Sequence, residues 1–141
     1  MGNRAPGKLI TWSDRYSVGI SRIDAQHQKL VDLINDLHAA TVGKEGNSAL
    51  DKILDSLAGY VVSHFATEEA LMKKFEYPGY EHHKAEHEKL SAQVKVLMEK
   101  SRGDRTALSP ELMMFLQRWL IGHIANLDKK YTAHLNAAGV T

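Results

Sequence analysis

Apolar residues recur along most of this chain at alternating four- and three-residue steps, the signature of helices that turn one face to a bundle core. From Ser21 to about Thr41 the stripe reads Ile23, His27, Leu30, Ile34, Leu37 and Thr41. Ser21 with Asp24 suits an N-terminal cap, and Gly43 and Gly46 break the run. A second stripe starts near Asn47-Ser48 and carries Leu50, Leu54, Leu57, Val61, His64, Glu68, Leu71 and Phe75, ending before the turn-forming Tyr77-Pro78-Gly79. The third runs from about Tyr80 to Arg102 through His83, His87, Leu90, Val94 and Leu97, with Gly103 placed to terminate it. Ser109-Pro110-Glu111 announces the fourth, a capping residue followed by proline at the first helical position, and Leu112, Leu116, Trp119, Leu120, His123 and Leu127 mark its face.

Short breaks favour antiparallel neighbours, so the pattern predicts an all-α fold, an up-down-up-down antiparallel four-helix bundle. Residues 1–20 have no period and contain Gly2, Pro6, Gly7 and Gly19. They read as an extended N-terminal arm whose Trp12 and Val18 pack on a single bundle domain of residues 21–141.

Composition narrows the function. In 141 residues, 43% apolar and 25% charged, eighteen Lys and Arg are scattered among seventeen Asp and Glu, for a net charge of +1. No concentrated positive face is available for nucleic acid. Cysteine is absent, which removes disulfides and thiolate chemistry and fits a reducing compartment. No apolar run has the length of a signal peptide or a membrane span, so the expected setting is cytoplasmic, without membrane insertion. Met1-Gly2 does not make a myristoylation signal, because Pro6 stands where Ser or Thr is needed.

Eight histidines are the unusual feature. His27, His64, Glu68, His83, His87 and His123 interrupt otherwise apolar stripes, with Asp128 near the last. Burying ionisable groups without partners costs several kcal/mol each, and a metal centre compensates all of them at once. His64 with Glu68 and His83 with His87 are four apart, so each pair shares a helix face. His123 and Asp128 are five apart, about 140° of rotation on a regular helix, so Asp128 has to enter sideways or where the helix loosens. Five imidazoles and two carboxylates exceed one tetrahedral site and suit two metals sharing the carboxylates; iron, zinc, copper and manganese all accept such ligands.

The other polar residues read as ordinary structure. His38 sits about 16 Å along the helix from His27, His82 points to solvent, and His134 lies beyond the main fourth helix. Glu69 and Glu86 are solvated or support the ligands, Met72, Met98, Met113 and Met114 fill core, and Trp12 and Tyr131 either support the ligands or are packing groups. A cluster of metal-free histidines acting as a proton switch near pH 6 is the other reading of the set.

The chain resembles the bacterial hemerythrins of the hemerythrin/HHE cation-binding family. The resemblance rests on Trp12 with Val18-Gly19, Ile23-Asp24-Ala25-Gln26-His27, His64 with Glu68-Glu69 and Met72, Tyr77-Pro78, His83-Lys84-Ala85-Glu86-His87, and Trp119-Leu120 with His123-Ile124, Asp128 and Tyr131. It implies two non-haem iron ions, one held by His83, His87 and His123 and the other by His27 and His64, bridged by Glu68, Asp128 and an oxo or hydroxo group. It further implies dioxygen as the ligand at the second iron, with Leu120 walling the oxygen pocket; ordinary core packing is the other reading of Leu120. The expected function is reversible dioxygen binding for storage, transport or delivery to a membrane oxidase or another oxygen-consuming enzyme, by a monomer that is not itself an enzyme. The alternatives are an oxygen or redox sensing module and, behind it, a di-iron enzyme acting on peroxide or nitric oxide.

Overall fold

The computed structural model describes residues 9–42, 47–103 and 110–141. After a short 3-10 turn at Asp14–Tyr16 come α1 (Ser21–Val42), α2 (Asn47–Lys74), α3 (Tyr80–Gly103) and α4 (Pro110–His123). A π-helical turn, Ile124–Asp128, joins α4 without interruption to α5 (Lys129–Ala137), so these three form one rod. The architecture is the antiparallel four-helix bundle that the periodicity predicts. The expected breaks at Gly43 and Gly46, the Ser109 cap, the residues 1–8 with Gly2, Pro6 and Gly7, and the side chains of Leu97 and Leu112 lie outside the described residues.

The core is built from the stripes: Ile23, Leu30, Ile34 and Leu37 of α1, Leu54, Leu57 and Val61 of α2, Val94 and Met98 of α3, and Met113, Leu116 and Leu120 of α4 are all buried. Met114 is a correction, because it is 46% exposed and fills no core. One residue beyond Met113, it falls about 100° away from the buried face.

The start of α1 also differs from expectation. Ser21 is exposed in the first turn and makes no cap. Instead Asp24 reaches back, its Oδ2 accepting from Ser17 Oγ at 2.5 Å and its Oδ1 from the Val18 amide at 2.8 Å, so one carboxylate ties the arm to the first turn of α1. Val18, Ile20 and Ile10 are buried, and Trp12 is half-buried beside Tyr16 with ring centroids 5.7 Å apart. The described part of the arm is pinned by side chains: the Asn35 amide pairs with both the N–H and the carbonyl of Ile10, and Thr132 Oγ1 donates to the Val18 carbonyl at 2.6 Å. Gly19 has φ +73°, and a Cβ there would sit 3.2 Å from Thr132 Cγ2, so the turn from arm to bundle needs glycine.

α2 ends in a Schellman arrangement, with the Glu76 amide bonded to Lys73 O, the Tyr77 amide to Met72 O, and Glu76 at φ 54°. The Tyr77 ring then lies against Gly79, where a Cβ would come within 2.8 Å of it. The turn before α3 therefore holds Tyr77 in a fixed place near the end of the bundle.

Candidate metal centre

The seven expected residues come from all four rods: His27 near the start of α1, His64 and Glu68 near the end of α2, His83 and His87 at the start of α3, His123 at the end of α4 and Asp128 at the end of the π turn that follows it. Alternating helix direction brings these ends to one level. All seven side chains converge there, and none is more than 5% exposed.

The π turn resolves the awkward five-residue spacing. The Lys129 amide bonds to the Ile124 carbonyl, five residues back, so the backbone takes one extra residue into its turn. Asp128 then comes round to the face of His123, and Asp128 Oδ1 lies 2.9 Å from His123 Nε2.

Asp128 spans the cluster. Its Oδ1 is also 3.0 Å from His83 Nε2, and its Oδ2 is 2.9 Å from His27 Nε2. Glu68 Oε1 lies 3.0 Å from His64 Nε2, 3.4 Å from His87 Nε2 and 3.8 Å from His123 Nε2. The donors fall into two overlapping groups whose atoms lie within 4.8 Å of one another: Glu68, His83, His87, His123 and Asp128, and His27, His64, Glu68 and Asp128. Each group can hold one cation, and the two carboxylates belong to both.

Despite these short separations, His27 Nε2, His64 Nε2, His83 Nε2, Glu68 Oε1 and both Asp128 oxygens lack a hydrogen-bond partner. The atoms are close but not aligned as donor and acceptor; they face common points between them. So many orphaned buried polar atoms would cost several kcal/mol each, and a pair of cations at those points would satisfy them together. Five nitrogen and two carboxylate donors without sulfur fit iron.

Electrostatics in the metal-free arrangement follow the same proximity. Burial pushes the Glu68 carboxyl up, but the charge of His64 and the contacts with His123, His64 and His87 outweigh it and hold the group well below its ordinary range. Burial and the Glu68 charge likewise push Asp128 up, and His123 and His27 pull it down to about 2. Burial lowers His123, yet Asp128 and Glu68 raise it to about 10.

The periodicity did not disclose what surrounds these groups. Gln26 Oε1 accepts from His64 Nδ1 at 2.7 Å, and the Gln26 amide is itself oriented by Thr67 Oγ1 at 3.3 Å. Glu69 Oε2 lies 2.9 Å from His87 Nδ1, so of the two readings open for it, support of a ligand is the one its position matches. Both contacts put the ring proton on Nδ1 and leave Nε2 facing the cluster. Phe65 stacks on His87, Trp119 meets Phe65 edge-on at 6.1 Å, and Tyr131 donates to Glu68 Oε2 at 2.5 Å. Leu120 is buried on α4, one turn before His123. Among the described residues Trp12 has its ring contact with Tyr16 and none with the cluster, Glu86 has no polar contact, and His82 is exposed. His134 bonds to the Phe75 carbonyl at 2.6 Å, tying α5 to the end of α2. Gln26, Phe65 and Glu69 each neighbour His27, His64 or Glu68 in the chain, and Gln26 and Glu69 also stand in the motifs that carry the resemblance.

Residues 18–135 match the family model described as the hemerythrin HHE cation binding domain. The bacteriohemerythrin of Methylococcus capsulatus is 35% identical, the alignment covering 92% of this chain and 98% of that protein. The bacteriohemerythrin of Stenotrophomonas maltophilia is also 35% identical, over 91% of this chain and 85% of its own length. A crystal structure of wild-type hemerythrin superposes with a TM-score of 0.81 at 35% identity, covering 90% of this chain and 98% of that one.

Proposed function

This chain belongs to the hemerythrin family, and we propose on that premise that it binds dioxygen reversibly at a non-haem di-iron centre, for oxygen storage, transport or delivery to oxidases, without acting as an enzyme. In this reading His83, His87 and His123 hold one iron, His27 and His64 hold the other, and Glu68 and Asp128 serve both. When bound, the iron pair supplies the redox chemistry by which dioxygen is taken up and given back.

The observation that carries the reading is the division of the buried donors into a group of five and a group of four that share Glu68 and Asp128 and no other residue. The group with His27 and His64 has one imidazole fewer, which leaves its ion the less crowded by protein. Gln26 and Glu69 keep His64 and His87 in the tautomer that presents Nε2 inward. Leu120 is assigned to the wall of the oxygen pocket, supported by its burial one turn from His123; an apolar wall keeps water from the bound ligand. Among the described residues no helix is long and apolar enough to cross a membrane. The proposed setting is the cytoplasm, where a monomer would hand dioxygen to an oxygen-consuming enzyme.

Iron analysis combined with anaerobic and aerobic absorption spectra tests the proposal. Close to two irons per chain are expected, with a charge-transfer band that appears in air and disappears under vacuum, and Glu68→Ala is expected to lose the paired-iron signature. One iron per chain, or a band that never reverses, would overturn it.

A further inference from the structure

The two supported imidazoles are held by groups of different kinds. His87 Nδ1 faces a carboxylate, Glu69, which can only accept a hydrogen bond. His64 Nδ1 faces an amide, Gln26, which can present either its oxygen or its nitrogen. Only the oxygen suits a metal-binding His64, because an acceptor at Nδ1 keeps the ring proton there and leaves the Nε2 lone pair for an ion. Which way the amide turns is decided by what lies on its other side.

Thr67 lies there. The Gln26 amide nitrogen is 3.3 Å from Thr67 Oγ1, and the Thr67 hydroxyl donates to the Ser63 carbonyl, 3.1 Å away on the preceding turn of α2. A hydroxyl has one proton, so toward Gln26 this oxygen can only accept. The amide therefore donates its nitrogen to Thr67 and keeps Oε1, 2.7 Å from His64 Nδ1, for the imidazole. Each link from the Ser63 carbonyl through Thr67 and Gln26 to His64 sets the direction of the next. The bridge also crosses between helices: Gln26 stands beside His27 on α1, while His64 and Thr67 are on α2. It thus braces together the two imidazoles of the four-member donor group, whose rings meet edge-on with centroids 4.7 Å apart.

We infer that Thr67 is a positioning residue for the ion of His27 and His64 alone, acting through Gln26 to fix the nitrogen that His64 turns inward. This rests on the di-iron reading above. Thr67 is partly buried and its hydrogen bonds go to Gln26 and Ser63, so it reaches the centre through Gln26. The group of five has no such dependence, since the Glu69 carboxylate accepts from His87 whichever oxygen it turns.

Thr67→Val removes the hydroxyl, keeps the shape and leaves helix propensity nearly unchanged. Cobalt(II) is the probe, loaded anaerobically, with binding followed by its visible absorption and by chelator competition, and the fold checked by circular dichroism. The expected result is an unchanged helical spectrum and two bound cobalt ions, one of them held about three- to tenfold more weakly, the scale of a single hydrogen bond. Thr67→Ser, which keeps the hydroxyl, is expected to match the unmutated protein. Gln26→Glu puts a carboxylate where the amide stood, and a carboxylate needs no orienting, so adding Thr67→Val to it should change neither affinity. A further loss in that background would overturn the route through Gln26. Equal affinities for Thr67→Val and the unmutated protein, or equal weakening of both ions, would overturn the role of Thr67 and leave the di-iron reading standing; an unmutated protein that takes up fewer than two cobalt ions would overturn that reading. Hydrogen exchange gives a second measurement. In zinc-loaded protein the His64 Nδ1 proton should exchange with solvent slowly, and faster in Thr67→Val; equal rates would overturn the proposal.

Discussion

The ring of Phe65 lies flat on the imidazole of His87, with centroids 3.8 Å apart and planes 5° from parallel. His87 is thereby fixed twice, in plane by Glu69 at Nδ1 and face-on by Phe65. The same phenyl ring meets Trp119 edge-on and lies 5.4 Å from His123. One apolar residue of α2 therefore sets the packing around ligand candidates on α3 and α4.

Phe65→Ala should remove this support and leave a cavity beside the cluster. The expected loss of folding stability is about 3–5 kcal/mol, the range for deleting a buried phenylalanine. Urea unfolding of the metal-free form measures it; a loss below about 1 kcal/mol would mean that the neighbouring rings close the gap.

Gln26 and Glu69 support imidazoles in different donor groups, His64 in one and His87 in the other. Gln26→Ala should therefore weaken retention of one iron and Glu69→Ala retention of the other, each by about 10- to 100-fold. Stepwise chelator extraction followed by the absorption spectrum separates the two. Identical extraction profiles for both variants would contradict the assignment of the two residues to separate ions.

The metal-free protein should be most stable in mildly acidic solution. Asp128 is held at about 2, below its ordinary 3.8, and Glu68 is also held low. Their contribution is present above the unfolded carboxylate range and is lost as pH falls toward about 2. His123 is raised from 6.5 to about 10, so its contribution is complete below 6.5 and is lost as pH rises through about 10. Thermal unfolding of metal-free protein across this span should trace a plateau between the two declines. A melting temperature that climbs from pH 7 to pH 10 would contradict it.

The π turn acts as a one-residue insertion in the fourth rod. Deleting the exposed Asn126 should convert it to regular helix and place the aspartate four residues from His123, about 40° from alignment where a regular five-residue spacing gives about 140°. Two-ion binding is expected to survive the deletion. Inserting a second residue at the same point should abolish it, and metal stoichiometry by mass spectrometry reads both outcomes.

Much of this molecule is legible in its residues alone. The four-three stripes predict the helices because an amphipathic helix needs only local spacing to bury one face. The same spacing picks out His64 with Glu68 and His83 with His87, since residues one turn apart share a face whatever the helix packs against. Alternating helix direction then accounts for ends distant in sequence meeting at one level.

Contacts between helices obey no period, and those the tertiary structure alone decides. The backbone absorbs the spacing of His123 and Asp128 in a π turn, a choice made by what Asp128 and Tyr131 reach across the bundle. Gln26 on His64, Phe65 on His87 and Tyr131 on Glu68 join residues 38, 22 and 63 positions apart in the chain. Spacing determines which side chains share a face of one helix, and packing determines what each face meets.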